Sequence, residues 1–189
     1  MENLLYNLEQ PLTEVLAAME CEGVKIDTEG VKNFGEMLSS DINGLESQIY
    51  FMAGKEFNIN SPKQLGEVLF EDLGLPAGKK TKTGYSTNAE ILEGLRDKHP
   101  IVDLVLQYRQ LSKLLSTYVD GLLKVVGEDG RIHSNFKQTE TRTGRISSTE
   151  PNMQNIPVRT ETGREMRKFF VAKDGFTLLD ADYSQIELR

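Results

Sequence analysis

The stretch 101–136, IVDLVLQYRQLSKLLSTYVDGLLKVVGEDGRIHSNF, contains the change of period that decides the fold. Its apolar residues Ile101, Leu104, Val105, Tyr108, Leu111, Leu115, Tyr118, Val119 and Leu122 recur every three or four positions and predict a helix from Ile101 to Val126. Arg109 and Lys113 sit four apart on its polar side, where both can reach one phosphate backbone, although plain solvated charge explains such a pair more simply. Gly127-Glu128-Asp129-Gly130 then reads as a hairpin turn, and Arg131 to Phe136 alternates as a strand does. Helices give way to sheet near residue 130, so the expected class is α+β, predominantly α.

Upstream, Leu8, Leu12, Val15, Leu16 and Met19 have helical spacing, with Pro11 tolerable in the first turn and Gly23 as a stop. Val24-Lys25-Ile26 reads as a short extended piece, after which Asp27 or Thr28 caps a second, long helix. Val31, Phe34, Leu38, Ile42, Leu45, Ile49 and Met52 form its single apolar stripe, and Gly54 lies past its end. Ser61 and Pro62 are a cap and a first helical residue for a short helix through Phe70. Between Leu75 and Thr87 apolar periodicity disappears and Lys79, Lys80 and Lys82 stand among glycines, the composition of a mobile basic loop. Locally, a solvated linker and a phosphate clamp describe that loop equally well. Asn88 caps a further short helix, Ala89 to Arg96.

Downstream, residues 141–148 pack Arg142, Arg145, Gly144 and four hydroxyls into a loop, and Asn152, Gln154 and Asn155 lie between Pro151 and Pro157, which hold the backbone extended or turned. Amides and guanidinium together can donate to minor-groove acceptors common to every base pair. Taken alone, the stretch reads as a polar loop whose side chains cap neighbouring backbone. An apolar run, Phe176 to Leu179, then delivers Asp182 to a polar turn that starts a helix, a place to hold a metal ion. Ile186 and Leu188 lack partners at i+3 and i+4, so the expectation is a helix cut in its first turn and a chain truncated at Arg189.

The 189 residues carry a net charge of −7, but between Arg131 and Lys173 nine Lys or Arg face four Glu, leaving that segment at +5 on an otherwise acidic chain. The total therefore does not exclude a polyanionic partner. No basic n-region precedes an apolar run and no apolar stretch is long enough to span a bilayer, so neither secretion nor a membrane partner is expected. Cys21 is the single cysteine, which cannot form an intrachain disulfide and fits the cytoplasm.

The octet 182–189, DYSQIELR, resembles residue for residue the first catalytic motif of family A DNA polymerases. TRTGRISSTEPNMQNIPVRTETGREMRKFF (141–170) is similar to the palm entry of that family, and NINSPKQLGEVLF (58–70), GKKTKTGYST (78–87) and YRQLSKLLSTYVDGL (108–122) resemble its thumb, in the same order. The resemblance implies a lead-in helix and strand over 1–27 associated with the palm, a helical thumb over 28–127, and over 128–189 the first part of an incomplete palm with a short antiparallel sheet.

For the site, the resemblance implies that Asp182 is one of two aspartates holding two Mg²⁺ ions and that the Tyr183 backbone carbonyl adds a ligand. Gln185 supports the nucleotide site, and Glu187 is the steric gate against a ribose 2′-hydroxyl. Arg145 reaches the minor groove at the primer terminus, assisted by Asn152, Gln154 and Asn155. Asn60, Ser61, Lys63, Lys79, Lys80, Lys82, Arg109 and Lys113 grip duplex phosphates. Asp180 has no counterpart in the motif and is expected to be an outer-sphere or solvated carboxylate. The implied partners are primer–template DNA and deoxynucleoside triphosphates, with the protein monomeric. The family's second metal aspartate and its triphosphate-binding helix follow this motif and are absent from the sequence, so the chain by itself is expected to be inactive. The alternative is a stand-alone, non-catalytic duplex-DNA-binding module.

Overall fold

The computed structural model describes residues 2–77, 80, 81, 84–157 and 160–188, without the side chains of Lys80, Thr81 and Glu187. In chain order, a turn of α-helix at Glu2–Leu4 and a π segment at Leu5–Glu9 lead into α1 (Gln10–Glu22), followed by β1 (Val24–Lys25) and α2 (Thr28–Ala53). Next come α3 (Pro62–Gly66), continued by a π segment at Glu67–Asp72, then β2 (Lys80–Thr81), β3 (Gly84–Tyr85), α4 (Ala89–Glu93) and α5 (Ile101–Leu114). A π segment at Leu115–Asp120 joins α5 to α6 (Gly121–Leu123). The remainder is β4 (Arg131–Ile132), β5 (Asn135–Lys137), β6 (Ser147–Thr149), a 3₁₀ turn at Met153–Asn155, α7 (Glu161–Arg167) and a 3₁₀ turn at Ile186–Leu188. The described strands form three antiparallel pairs, β1 with β4, β2 with β3 and β5 with β6, so the chain is α+β and mostly helical. By its contacts it divides into two compact units, Asn33–Val119 and a second made of Met1–Lys32 with Asp120–Arg189.

In Asn33–Val119 the core is built where the helical stripes meet. Ile49 of α2, Leu65, Val68, Leu69 and Phe70 of α3 and its continuation, Leu92 of α4, and Ile101, Val102 and Val105 of α5 are buried together. Burying a leucine as fully as Leu65, Leu69 or Leu92 contributes about 1.5–3 kcal/mol each. The α2 stripe is the expected one, with Phe34, Leu38 and Ile49 buried and Ile42, Leu45 and Met52 half-buried. In the last helical run the inward face differs slightly from the periodic reading. Leu114 is buried while Leu111 and Leu115 are half-buried, and a π segment begins at Leu115. Ser61 caps α3 by accepting the Gln64 N–H at 3.4 Å, and Asn88 caps α4 by accepting that of Ile91 at 2.9 Å. The stretch 75–87, which composition assigns to a loop, contains the β2–β3 pair, with Lys80 opposite Tyr85. Tyr85 supplies the missing apolar anchor, since its ring lies 4.9 Å from that of Phe70.

In the other unit Asp27 is the cap of α2, accepting the Gly30 N–H at 3.0 Å. The predicted single strand Arg131–Phe136 is instead two strands pointing to different partners, β4 to β1 and β5 to β6. The break falls at His133 and Ser134, whose side chains are drawn away from any common ladder. Ser134 Oγ donates to the Pro151 carbonyl at 2.8 Å, and His133 Nδ1 lies 2.7 Å from the Glu20 carbonyl at the end of α1. Helix ends leave carbonyls without intrahelical partners, and cations there also complement the helix dipole. Arg131 completes this cap: its Nε donates to the Glu22 carbonyl at 2.6 Å and its Nη2 to the Glu22 carboxylate at 2.5 Å. Gly23, at φ +60, leaves the helix where any Cβ would meet His133 and the Ile132 carbonyl at 2.7 Å.

His133 makes this cap pH-dependent. Its Nε2 lies 3.1 Å from the Asp129 carboxylate, so both ring nitrogens face acceptors and the imidazolium, donating to each, is the form that satisfies them. The hydrogen bond to the Glu20 carbonyl, then that to Asp129, raises the His133 pKa, against an opposing effect of burial and Arg131. Partial burial pushes Asp129 upward, but hydrogen bonds from His133 and from the Arg131 N–H outweigh it and carry the carboxyl below its ordinary value. A raised imidazole stabilises the fold fully below about pH 6.5, the ordinary histidine value, and loses that contribution as pH rises through the higher folded value. Asp129 behaves oppositely, losing its contribution as pH falls through its own lowered value. We therefore expect amide exchange at Met19 to Gly23, corrected for intrinsic base catalysis, to accelerate as pH climbs from about 6.5 through the higher folded value. His133→Gln removes that dependence; an unchanged profile in the variant would rule the clamp out.

Candidate nucleic-acid interface and metal-binding segment

Residues 141–157 form a knot of side-chain-to-backbone hydrogen bonds at the end of β6. The Gln154 amide brackets the strand's entry, its Nε2 donating to the Ile146 carbonyl at 2.7 Å and its Oε1 accepting the Ser148 N–H at 3.2 Å. Asn152 Oδ1 accepts the Gln154 N–H at 3.0 Å and lies 3.3 Å from Ser148 Oγ, which itself accepts the Met153 N–H at 3.1 Å. Ser148 is 1% exposed, and this network is what satisfies its buried hydroxyl. The side chains of Asn152 and Gln154 thus cap neighbouring backbone in this structure, and Ser147 and Ser148 belong to a strand where composition alone places a loop. Arg145 is exposed beside this bracket, and Asn155, also exposed, ends the 3₁₀ turn. Sequence reading misses Ser148 as the hub, since a serine in a polar run gives no sign of burial.

The nominal charge of +5 over 131–173 is partly neutralised locally. Arg131 is paired with Glu22, which lies outside that segment, whereas Lys168 pairs at 2.6 Å with Glu165, a carboxylate already counted in the total, and Lys173 lies 5.7 Å from the centre of the Phe176 ring. Lys137, Arg142, Arg145, Arg164 and Arg167 are exposed, on β5, in the 141–145 turn and in α7.

The segment that carries the motif joins the fold through the Val171 N–H, which donates to the Lys25 carbonyl at 3.0 Å, and through the Ile26–Phe170 bridge. Beyond it the apolar run Phe176 to Leu179 forms no strand. Phe176, Leu178 and Leu179 are 69, 60 and 91% exposed and pair with none of the described strands. Asp180 and Asp182 are both exposed, and no group of three or more His, Cys, Asp or Glu side chains among the described residues converges on a metal position. The expected helix start is a single 3₁₀ turn, Ile186–Leu188, entered from Gln185 at φ +54, with the Leu188 N–H donating to the Gln185 carbonyl at 3.0 Å. Glu187 has its backbone in that turn, while its side chain and Arg189 lie outside the described residues. As a donor set, an exposed carboxylate and a neighbouring backbone carbonyl fit Mg²⁺, which takes hard oxygens, uses only one or two protein carboxylates and relies on water and phosphate for the rest.

In Asn33–Val119, Lys63 and Lys113 are exposed. Asn60 is exposed but directed in part inward, its Nδ2 lying 3.4 Å from the Tyr108 hydroxyl, and Ser61 acts as the cap of α3. Arg109 differs from the free cation expected of a solvated helix face. Its guanidinium is half-buried and donates to the carbonyl of Thr87 and, at 3.1 Å, to its hydroxyl, tying α5 to the segment entering α4. Burial lowers the Arg109 pKa, although arginine stays charged at any physiological pH. Periodicity placed Arg109 on the polar face; that Thr87 returns to meet it is a tertiary fact. The strand backbone of Lys80 is described, while Lys79 and Lys82 lie outside the described residues.

Comparison with known proteins gives these features a context. The chain is 55% identical over 188 residues to DNA polymerase I of Bacillus subtilis and 56% identical over 191 residues to that of Bacillus caldotenax. It aligns over 98% and 100% of its own length but spans only 21% and 22% of theirs. It is similar in fold, at a TM-score of 0.89 and 44% identity over 98% of the chain, to the solved POL domain of Pol1 from M. smegmatis in complex with DNA primer-template and dNTP, of which it covers 33%. The model of DNA polymerase family A matches residues 28–189. On these matches, which run through the motif at Asp182 and the bracketed Arg145 turn alike, the chain belongs to DNA polymerase family A.

Proposed function

We propose that this chain is part of a template-directed DNA polymerase, serving replication or repair synthesis, that holds primer–template DNA and contributes one carboxylate to nucleotidyl transfer. The observation that carries the reading is the match to the M. smegmatis POL domain over nearly the whole chain, a structure solved with primer-template and dNTP. On this reading 1–27 leads into the palm, 28–127 is the thumb and 128–189 the first palm segment. Lys63, Lys113 and the basic 78–84 stretch grip duplex phosphates without sequence preference, with Arg109, Asn60 and Ser61 shaping that surface. Arg145, with Asn152, Gln154 and Asn155, checks base-pair edges in the minor groove at the primer terminus.

Asp182 and the Tyr183 carbonyl are the groups that hold magnesium, with Gln185 and Glu187 lining the nucleotide position. Two bound Mg²⁺ ions supply Lewis-acid stabilisation of phosphate charge and a lowered pKa for the attacking hydroxyl. This chain's share is to fix one ligand at the end of the 176–182 segment and to present the primer terminus to it. One exposed aspartate does not assemble a two-metal site, so the 189 residues as a separate polypeptide are expected to bind DNA without extending it. We read the protein as cytoplasmic and monomeric; the free Cys21 fits a reducing compartment.

The test uses the full-length protein that carries this chain. Primer–template affinity is expected to fall linearly on a log–log plot against salt, by roughly 10³-fold or more between about 50 and about 200 mM if six or more phosphates are engaged. Mg²⁺ and deoxynucleoside triphosphates then extend the primer. Salt-independent binding overturns the phosphate grip; binding with no extension leaves the duplex-binding module in its place.

A further inference from the structure

We propose that Thr141 is a positioning residue for Arg145, a role that rests on the reading of Arg145 as a base-edge contact. The Thr141 hydroxyl donates to the Arg145 carbonyl at 2.5 Å, closing a turn between residues four apart. Within that turn Gly144 adopts φ +75, a conformation that side chains with a Cβ resist. The next carbonyl along, that of Ile146, is the one held by the Gln154 amide at 2.7 Å. Two consecutive carbonyls are therefore each held by a side chain, one from a residue earlier in the chain and one from a residue later. Strand pairing does not do this work, because β6 begins only at Ser147, opposite Lys137.

Thr141 is half-buried, whereas Arg142, Thr143, Gly144 and Arg145 are exposed, so Thr141 is the foot on which an exposed turn stands. A long guanidinium side chain already loses rotamer entropy on engaging a ligand. If the backbone that carries it also had to be ordered at that moment, binding would weaken further. Fixing the Arg145 carbonyl beforehand removes that second cost, and the hydroxyl is the group on Thr141 that does so. Valine is the isosteric probe, since it replaces that hydroxyl with a methyl.

In the full-length polymerase that carries this chain, Thr141→Val is expected to weaken primer–template binding by about three- to tenfold, the range for one net hydrogen bond, while kcat at saturating DNA is unchanged. Thr141→Ser keeps the hydroxyl and restores binding. In an Arg145→Ala background, Thr141→Val adds no further loss, because a positioning residue acts through the group it positions. A silent Thr141→Val overturns the proposal. So does a penalty that persists in full beside Arg145→Ala, which is also the result a general loss of folding gives. If Arg145→Ala alone leaves binding unchanged, the base-edge reading itself fails and takes the positioning role with it. If Arg145→Ala weakens binding and Thr141→Val is additive with it, only the role of Thr141 fails.

Discussion

Asp182→Ala in the full-length polymerase is expected to reduce primer extension by at least about a thousandfold, more than the loss of a single preorganised hydrogen-bond donor costs an enzyme, while primer–template binding stays close to the parent level. The expectation follows from what surrounds the side chain. Asp182 is exposed, makes no ion pair among those described, and lies in a segment free of regular structure, so its removal leaves no buried partner unsatisfied and no core void. A carboxylate with so little structural role has its consequence in what it holds. Mg²⁺ draws its protein ligands from one or two carboxylates, so losing one removes a large share of the protein's hold on the ion. Asp180→Ala is the internal control, two residues away and equally exposed, and is expected to retain most activity. Gel-shift affinity and extension rate measured on the same preparations separate the two steps. Full extension by Asp182→Ala, or equal damage from both variants, would remove Asp182 from the metal site.

Glu187→Ala is expected to act on selectivity more than on rate. The ratio of kcat/KM for a deoxynucleotide to that for its ribonucleotide should fall by roughly a hundredfold, the order that steric rejection of one added hydroxyl achieves. Deoxynucleotide incorporation itself should change much less, because a gate contributes by excluding the wrong sugar. The Glu187 backbone lies in a single 3₁₀ turn, Ile186–Leu188, that is entered through Gln185 at φ +54. Competition between labelled deoxy- and ribonucleotides on one template gives the ratio directly. A variant with unchanged sugar preference would show that Glu187 is an ordinary acidic residue near a helix start, the reading its local sequence allows.

Helix existence and helix caps were legible in the sequence because they are local. Ser61-Pro62 and Asn88 cap α3 and α4 with no help from distant residues, and the α2 stripe from Val31 to Met52 needs only the 3.6-residue period. The strands were less legible. Arg131–Phe136 has the alternation of one strand, but which edge each half meets depends on Glu20 and Pro151, 113 and 17 residues away from the side chains they receive. Likewise Phe176–Leu179 has strand composition and no strand, since a ladder requires a second edge that composition does not supply. Composition places Lys80 in a loop because the contact that anchors the β2–β3 pair, Tyr85 against Phe70, joins residues that no local pattern links.

The site divides along the same line. The sequence by itself determined which residues are available for chemistry: a carboxylate at 182, a glutamate at 187, an arginine at 145 followed by three amides, and lysines along 63–82, all in the order of family A polymerases. That information is a matter of identity and spacing, which the chain carries unfolded. Only the tertiary structure decided which of those polar groups remain outward and which are already engaged. Gln154 and Asn152 bracket the strand beside Arg145, and Arg109 holds Thr87. Arg131 and His133, unremarkable in sequence, close the end of α1. The physical reason is that a buried or terminal backbone group takes whichever donor the fold brings near, and that choice is made by contacts between residues far apart in the chain.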